Sequence, residues 1–99
     1  MNILLESAMA ADAEWRRVGA NGTEGRVFAR LASEQGAAVE LRIRLDDPSR
    51  GQALARRMRA GASVYALAHR AWPRTDHDTA AVLVGDVTAL AIDGVTVPL

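Results

Sequence analysis

Val39, Leu41, Ile43 and Leu45 alternate without interruption with Glu40, Arg42 and Arg44, so one face of this run is apolar and the other charged. A period of two is the pattern of a half-buried β-strand, because successive side chains leave a strand on opposite faces. A similar alternation precedes it. Arg26, Phe28 and Arg30 fall on one side, and Val27, Ala29 and Leu31 on the other. Residues 33–37, which include Gly36, read as the hairpin loop between the two. After Leu45 the run Asp46-Asp47-Pro48-Ser49 breaks the ladder: proline has no N–H to donate, and acidic and hydroxyl side chains suit a helix start. Leu54, Met58 and the alanines near them recur at helical spacing up to Gly61, which predicts a short helix over residues 50–60.

The remaining segments are extended. Residues 2–9 are short, apolar and β-compatible, and the alanine-rich run after them is equally compatible with a helical turn. Asn21-Gly22-Thr23 is a turn signal, with a strand expected directly after it. Residues 63–72 return to strand, residues 73–78 form a polar loop, and residues 80–84 with 87–92 make a last strand bent around Gly85. The expected fold is therefore all-β with one short helix, in the order strand, strand, strand, helix, strand, strand. That is the order of a five-stranded OB-fold barrel, though periodicity alone leaves other small β-rich folds open. The 99 residues fit one domain, spanning 1–99.

Several functional classes fall away on composition. There is no cysteine, and only His69 and His77 offer imidazole, so structural zinc is not expected, and neither is any cofactor. No run approaches the roughly 18 apolar residues of a membrane helix, and no leader pattern opens the sequence, so the expected location is cytoplasmic, away from the membrane. Net charge is zero, which at first argues against a polyanionic partner. The distribution is uneven, however. Residues 26–74 hold ten of the twelve arginines against four acids, residues 1–25 hold two arginines against four acids, and residues 75–99 hold four aspartates and no cation. Every cation is arginine, whose planar guanidinium forks onto phosphate and stacks on flat rings.

The segments together resemble the bacterial single-stranded DNA-binding protein family. Met1-Asn2-Ile3-Leu4-Leu5 resembles its opening strand. Asp12-Ala13-Glu14-Trp15-Arg16 followed by Asn21-Gly22-Thr23 resembles its Asp-Pro-Glu-x-Arg and Asn-Gly-Thr segments, here one residue further apart. Residues 39–45, then Ala53-Leu54-Ala55-Arg56, Met58-Arg59 and Ala60-Gly61-Ala62-Ser63-Val64-Tyr65, resemble its third strand, helix and entry to the fourth strand. Trp72 with the polar loop and residues 81–90 resemble its last hairpin. The resemblance spans nearly the whole chain. Three departures stand out: Ala66-Leu67-Ala68 where a glycine is usual, no aromatic on the third strand, and no acidic tail after Val97-Pro98-Leu99. Short tailless relatives of the primosomal replication protein N type are the nearer comparison.

The resemblance implies binding of single-stranded DNA, with RNA as the alternative, in replication, replication restart or repair. It implies a homo-oligomer, a dimer before a tetramer, with replication proteins as further partners and no catalysis. The candidate nucleic-acid-binding residues are Arg26, Phe28, Arg30, Arg42, Arg44, Tyr65, Arg70, Trp72 and Arg74. Trp72, flanked by Arg70 and Arg74, is the favoured stacking ring. Phe28 and Tyr65 read equally as core, and Trp15 reads as packing. Arg42 and Arg44 lie about 7 Å apart along one strand face, matching neighbouring phosphates, while Arg56, Arg57 and Arg59 read as a solvated helix face. His69, Asp76, His77 and Asp78 lack the spacing of a metal or acid–base site. The alternative function, favoured by the zero net charge and the presence of only four aromatic residues, is an OB-fold protein–protein interaction module.

Overall fold

The computed structural model describes residues 2–32, 38–75 and 81–99, with the backbone alone for residues 3, 38, 70–75 and 81–84. It is mostly β-sheet with one helix. The strands are β1 (Ile3–Ala8), β2 (Glu14–Val18), β3 (Glu24–Leu31), β4 (Ala38–Arg44), β5 (Ser63–Thr75), β6 (Ala81–Ile92) and β7 (Val95–Val97), with α1 (Pro48–Arg57) between β4 and β5. The strand order is β1-β5-β6-β4-β3-β2, and β7 pairs with β6 off this path. All pairs are antiparallel except β4 with β6, which run parallel.

The seven strands pair in an open path, so the closed five-stranded barrel expected from the element order is corrected on strand number and closure. The expected first strand, residues 2–9, is β1, and β2 is a further strand in the stretch between it and the Asn21-Gly22 turn, where none was expected. β1 pairs with β5 as far as Ala8, and Met9 keeps to that side, bonding Ala62 and Gly61, while its neighbours reach the end of β3 on the other: Ala10 N–H donates to the Arg30 carbonyl and Ala32 N–H to the Ala8 carbonyl, each at 2.9 Å or less. Met9 itself meets Leu31 in an isolated bridge, and β2 then continues along β3. The extra strand at the end follows from Asp93 and Gly94, both at positive φ (50° and 80°), which form a tight hairpin that returns β7 against β6.

Other boundaries move for identifiable reasons. The helix starts earlier than residue 50 because Asp47 caps it, accepting from Ser49 N–H at 3.0 Å, and Pro48 occupies the first turn, where no N–H is needed. It ends before residue 60 because the following groups bond elsewhere. The Met58 carbonyl accepts from Ala13 N–H, and Ala60 N–H donates to Asp12 Oδ1. The expected loop from Pro73 is strand as far as Thr75. Among the described residues β1 covers β5 only up to Ala68, so Pro73 lies on an edge stretch paired with β6 alone, the kind of position where a strand tolerates proline. β6 is continuous through Gly85, and the irregularity falls in its register with β5, between Leu67 and Ala68 and between His69 and Trp72. The expected hairpin loop at residues 33–37 and the polar stretch of Asp76, His77 and Asp78 lie outside the described residues.

The core is the inner face of these strands closed by the helix. Val27, Ala29, Leu31, Leu41, Ile43, Val64, Ala66, Ala68, Leu90 and Ile92 are all buried, with Leu54 and Met58 of the helix segment over them. Each large aliphatic contributes about 1.5–3 kcal/mol by leaving water. The alternation that buries Val27 and Ile43 turns Arg26, Phe28, Arg42 and Arg44 outward, and this sets up the candidate site. Among the described residues no helix is long and apolar enough to cross a membrane.

Candidate nucleic-acid interface

Two cross-strand rows organise the outer face of β2, β3, β4 and β6. In the first, Arg16 lies opposite Arg26 and Arg26 opposite Arg44, which sets three cations side by side at the strand spacing of about 4.8 Å. In the second, Glu14 lies opposite Phe28, Phe28 opposite Arg42, Arg42 opposite Asp86 and Asp86 opposite His69. Directly opposed like charges destabilise a sheet by a few tenths of a kcal/mol or more, so the arginine row requires counter-charge.

The protein supplies part of it. Glu24 reaches Arg26 at 3.6 Å and Arg44 at 3.8 Å, Arg44 also meets Asp46 at 3.3 Å, and Arg16 meets Glu14 at 3.8 Å. Asp46 is held below the usual carboxylate range, first by the N–H of Gly25, which its Oδ1 accepts at 3.0 Å, and then by its bonds from Arg44. The same contacts raise Arg44 above its ordinary value, the hydrogen bond to Asp46 being the largest cause. All these ion pairs are solvated and hence weak, so an incoming polyanion can compete for the guanidinium groups.

Arg26, Arg42, Arg44, His69, Asp86 and Val87 line an open groove of about 250 Å³. The His69 Nδ1 is buried there with no hydrogen-bond partner among the described residues. Phe28, half-buried, marks the border of this basic side. The Arg16 guanidinium carbon sits 4.1 Å from its ring centroid and that of Arg42 5.8 Å. Beyond the ring lies a smaller hollow of about 140 Å³ lined by Asp12, Glu14, Phe28, Ala29, Arg30 and Glu40, where acid predominates.

Of the residues expected from the sequence, Arg26, Phe28, Arg42 and Arg44 come together, and Phe28 lies on the outer face rather than in the core. Arg30 is exposed on the same face but borders the acidic hollow. Tyr65, 48% exposed, is also on an outer face, yet it lies opposite Glu6 of β1 and Ala91 of β6, four residues or about 13 Å along β5 from His69. Its neighbours there are Leu4 and Leu67, so it belongs to another patch. The side chains of Arg70, Trp72 and Arg74 lie outside the described residues; the backbone of Trp72 is opposite Val84, itself opposite Glu40.

Arg16, Glu24, Asp46, His69 and Asp86 were not expected at this face. Alternation places residues on a face but does not fix the register between strands, and that register assembles the rows. Trp15 packs as expected, with its Nε1 donating to the Leu45 carbonyl. Among the described residues, no group of three or more His, Asp or Glu side chains is placed to hold a metal ion. No protein-family model matches this sequence, and no curated protein sequence matches it.

Proposed function

We propose that this protein is an OB-fold binder of single-stranded DNA, with RNA as the alternative ligand, that catalyses no reaction and serves replication, replication restart or repair in the cytoplasm. The observation that carries this reading is the row Arg16, Arg26, Arg44 beside Phe28 and Arg42. A positive track next to a flat ring is the combination by which single strands are held without reading sequence. Support for the OB architecture comes from the parallel β4–β6 pair, the helix between β4 and β5, and the approach of the end of β1 to β3 at Met9 and Leu31. The strand would cross β3 and β4, with phosphates at Arg26, Arg42 and Arg44.

The test is a binding titration against a labelled single strand and its duplex of the same length. Tighter, salt-sensitive binding of the single strand supports the reading, and equal binding of both points to a non-specific cation surface.

A second reading has its own observation. Leu4, Leu67 and Tyr65 form an exposed, mostly apolar strip on β1 and β5, at 59, 39 and 48% exposure. Such a strip suits a protein partner, either a second copy of this chain, giving a dimer before a tetramer, or a replication protein. A protein-interaction module with little nucleic-acid affinity would use this strip and leave the arginine row idle.

A further inference from the structure

Phe28 is the only aromatic residue of β3 and β4, and its ring is already covered. The guanidinium carbon of Arg16 lies 4.1 Å from the ring centroid, within the range of a cation–π contact. The register explains why it is there. Arg16 lies opposite Arg26, whose like charge repels it, while Phe28 lies diagonally across on the same face, opposite Glu14. Glu14 Oε2 holds the Nε edge of Arg16 at 3.8 Å. The guanidinium is thus supported from below by the ring and at one edge by a carboxylate, while the Arg16 side chain remains 58% exposed. More than half of its side-chain surface thus stays open to solvent.

A phosphate is poorly suited to that position. The adjoining hollow is lined by Asp12, Glu14 and Glu40 against the single cation Arg30, so its net charge opposes an anion; Glu14 already pairs with Arg16, and the basic groove is lined by Arg26, Arg42 and Arg44 without Arg16. A neutral planar group meets no such opposition, and guanidinium planes stack on bases. We infer that the Arg16 guanidinium, mounted on Phe28, is the base platform of this interface: a nucleobase stacks on its solvent face, giving a three-layer stack of base, Arg16 and Phe28. Phosphates of the same strand fall to Arg26, Arg42 and Arg44. The inference rests on the proposed single-strand binding and adds to it the group that receives the base.

Arg16→Lys keeps the charge and removes the plane. Affinities are measured for oligo-dT and for an abasic deoxyribose-phosphate strand of equal length, across a salt series, with wild type, Arg16→Lys and Phe28→Leu, each checked for an unchanged thermal midpoint. The expected result is that Arg16→Lys weakens oligo-dT binding about fivefold or more, as loss of a stacked base does, and leaves the abasic strand and the salt slope unchanged. Phe28→Leu, which removes the pedestal, gives the same selective loss, and the double variant loses little more. Equal losses on both strands would make Arg16 a phosphate contact and overturn the inference, as would oligo-dT affinity in Arg16→Lys equal to wild type. Wild type that binds neither strand at low salt would overturn the proposed function itself, a result distinct from either of these because no variant is needed to see it.

Discussion

The indole Nε1 of Trp15 donates to the backbone carbonyl of Leu45 at 2.8 Å, which ties β2 to the end of β4. The ring lies against two glycines, Gly25 of β3 and Gly51 of α1, whose missing side chains leave it room. This indole thus locks the helix to the strands that carry the arginine row.

Gly51→Ala should destabilise the protein, against the usual sign for a helix. Alanine is favoured over glycine in a helix interior by about 1 kcal/mol. Here a Cβ at position 51 would overlap Trp15 Cδ1 and Nε1, and overpacking of this kind costs about 1–3 kcal/mol. Urea unfolding reads the outcome. A variant more stable than wild type would show that the indole moves freely away.

Glu24 competes with any anion for Arg26 and Arg44, at 3.6 and 3.8 Å. Glu24→Gln should therefore bind single-stranded DNA more tightly at low salt, by up to about fivefold, the worth of an exposed ion pair. The gain should fade as salt screens the face. The check is anisotropy at two ionic strengths, and a loss of affinity would place Glu24 in ligand contact instead.

Asp46 gives the face an acid-sensitive element. Its folded-state pKa is depressed by the Gly25 N–H and by Arg44, so the stability it contributes is complete above its unfolded value of about 3.8 and is lost as pH falls through the lower folded value. Asp46→Asn should be less stable than wild type at neutral pH, and the gap should close in strong acid. Thermal melts from pH 7 down to pH 2 measure the gap; one that stays constant would contradict the pairing.

The strip of Leu4, Leu67 and Tyr65 bears on assembly. Leu4→Glu should shift the mass in solution toward monomer, because it sets a charge in the middle of the exposed apolar surface of β1. Sedimentation equilibrium reads the mass. An unchanged oligomer would move the contact to another face, and a monomeric wild type would remove the oligomer altogether.

How much was legible in the sequence follows from how far apart the interacting residues stand. β3 and β4 could be read because each alternates cleanly against one core, and Arg26, Phe28, Arg42 and Arg44 were read with them. β2 could not: in Glu14–Val18 two arginines stand side by side and the only ring packs sideways onto glycines, so no period of two appears. The outward direction of Arg16 is therefore invisible in the local pattern. His69 and Asp86 meet Arg42 only through the parallel β4–β6 pairing, a contact between distant segments that no local pattern encodes. The Asp93-Gly94 hairpin did leave a local signal, since Asp-Gly is a favoured two-residue turn, but the strand beyond it, Val95–Val97, is too short to show a period of its own.

The central claim is that the basic face of β3 and β4 holds single-stranded DNA, and the most direct measurement is a fluorescence-anisotropy titration of wild type and Arg42→Ala with a labelled oligo-dT of about 30 nucleotides, roughly twice the largest footprint of one OB domain. Run at several salt concentrations, wild type should bind micromolar or tighter at low salt and weaken steadily as salt rises. Arg42→Ala should bind less tightly, with a salt slope smaller by about 1. Wild-type binding that is absent at low salt, or unchanged by the loss of Arg42, would contradict the claim.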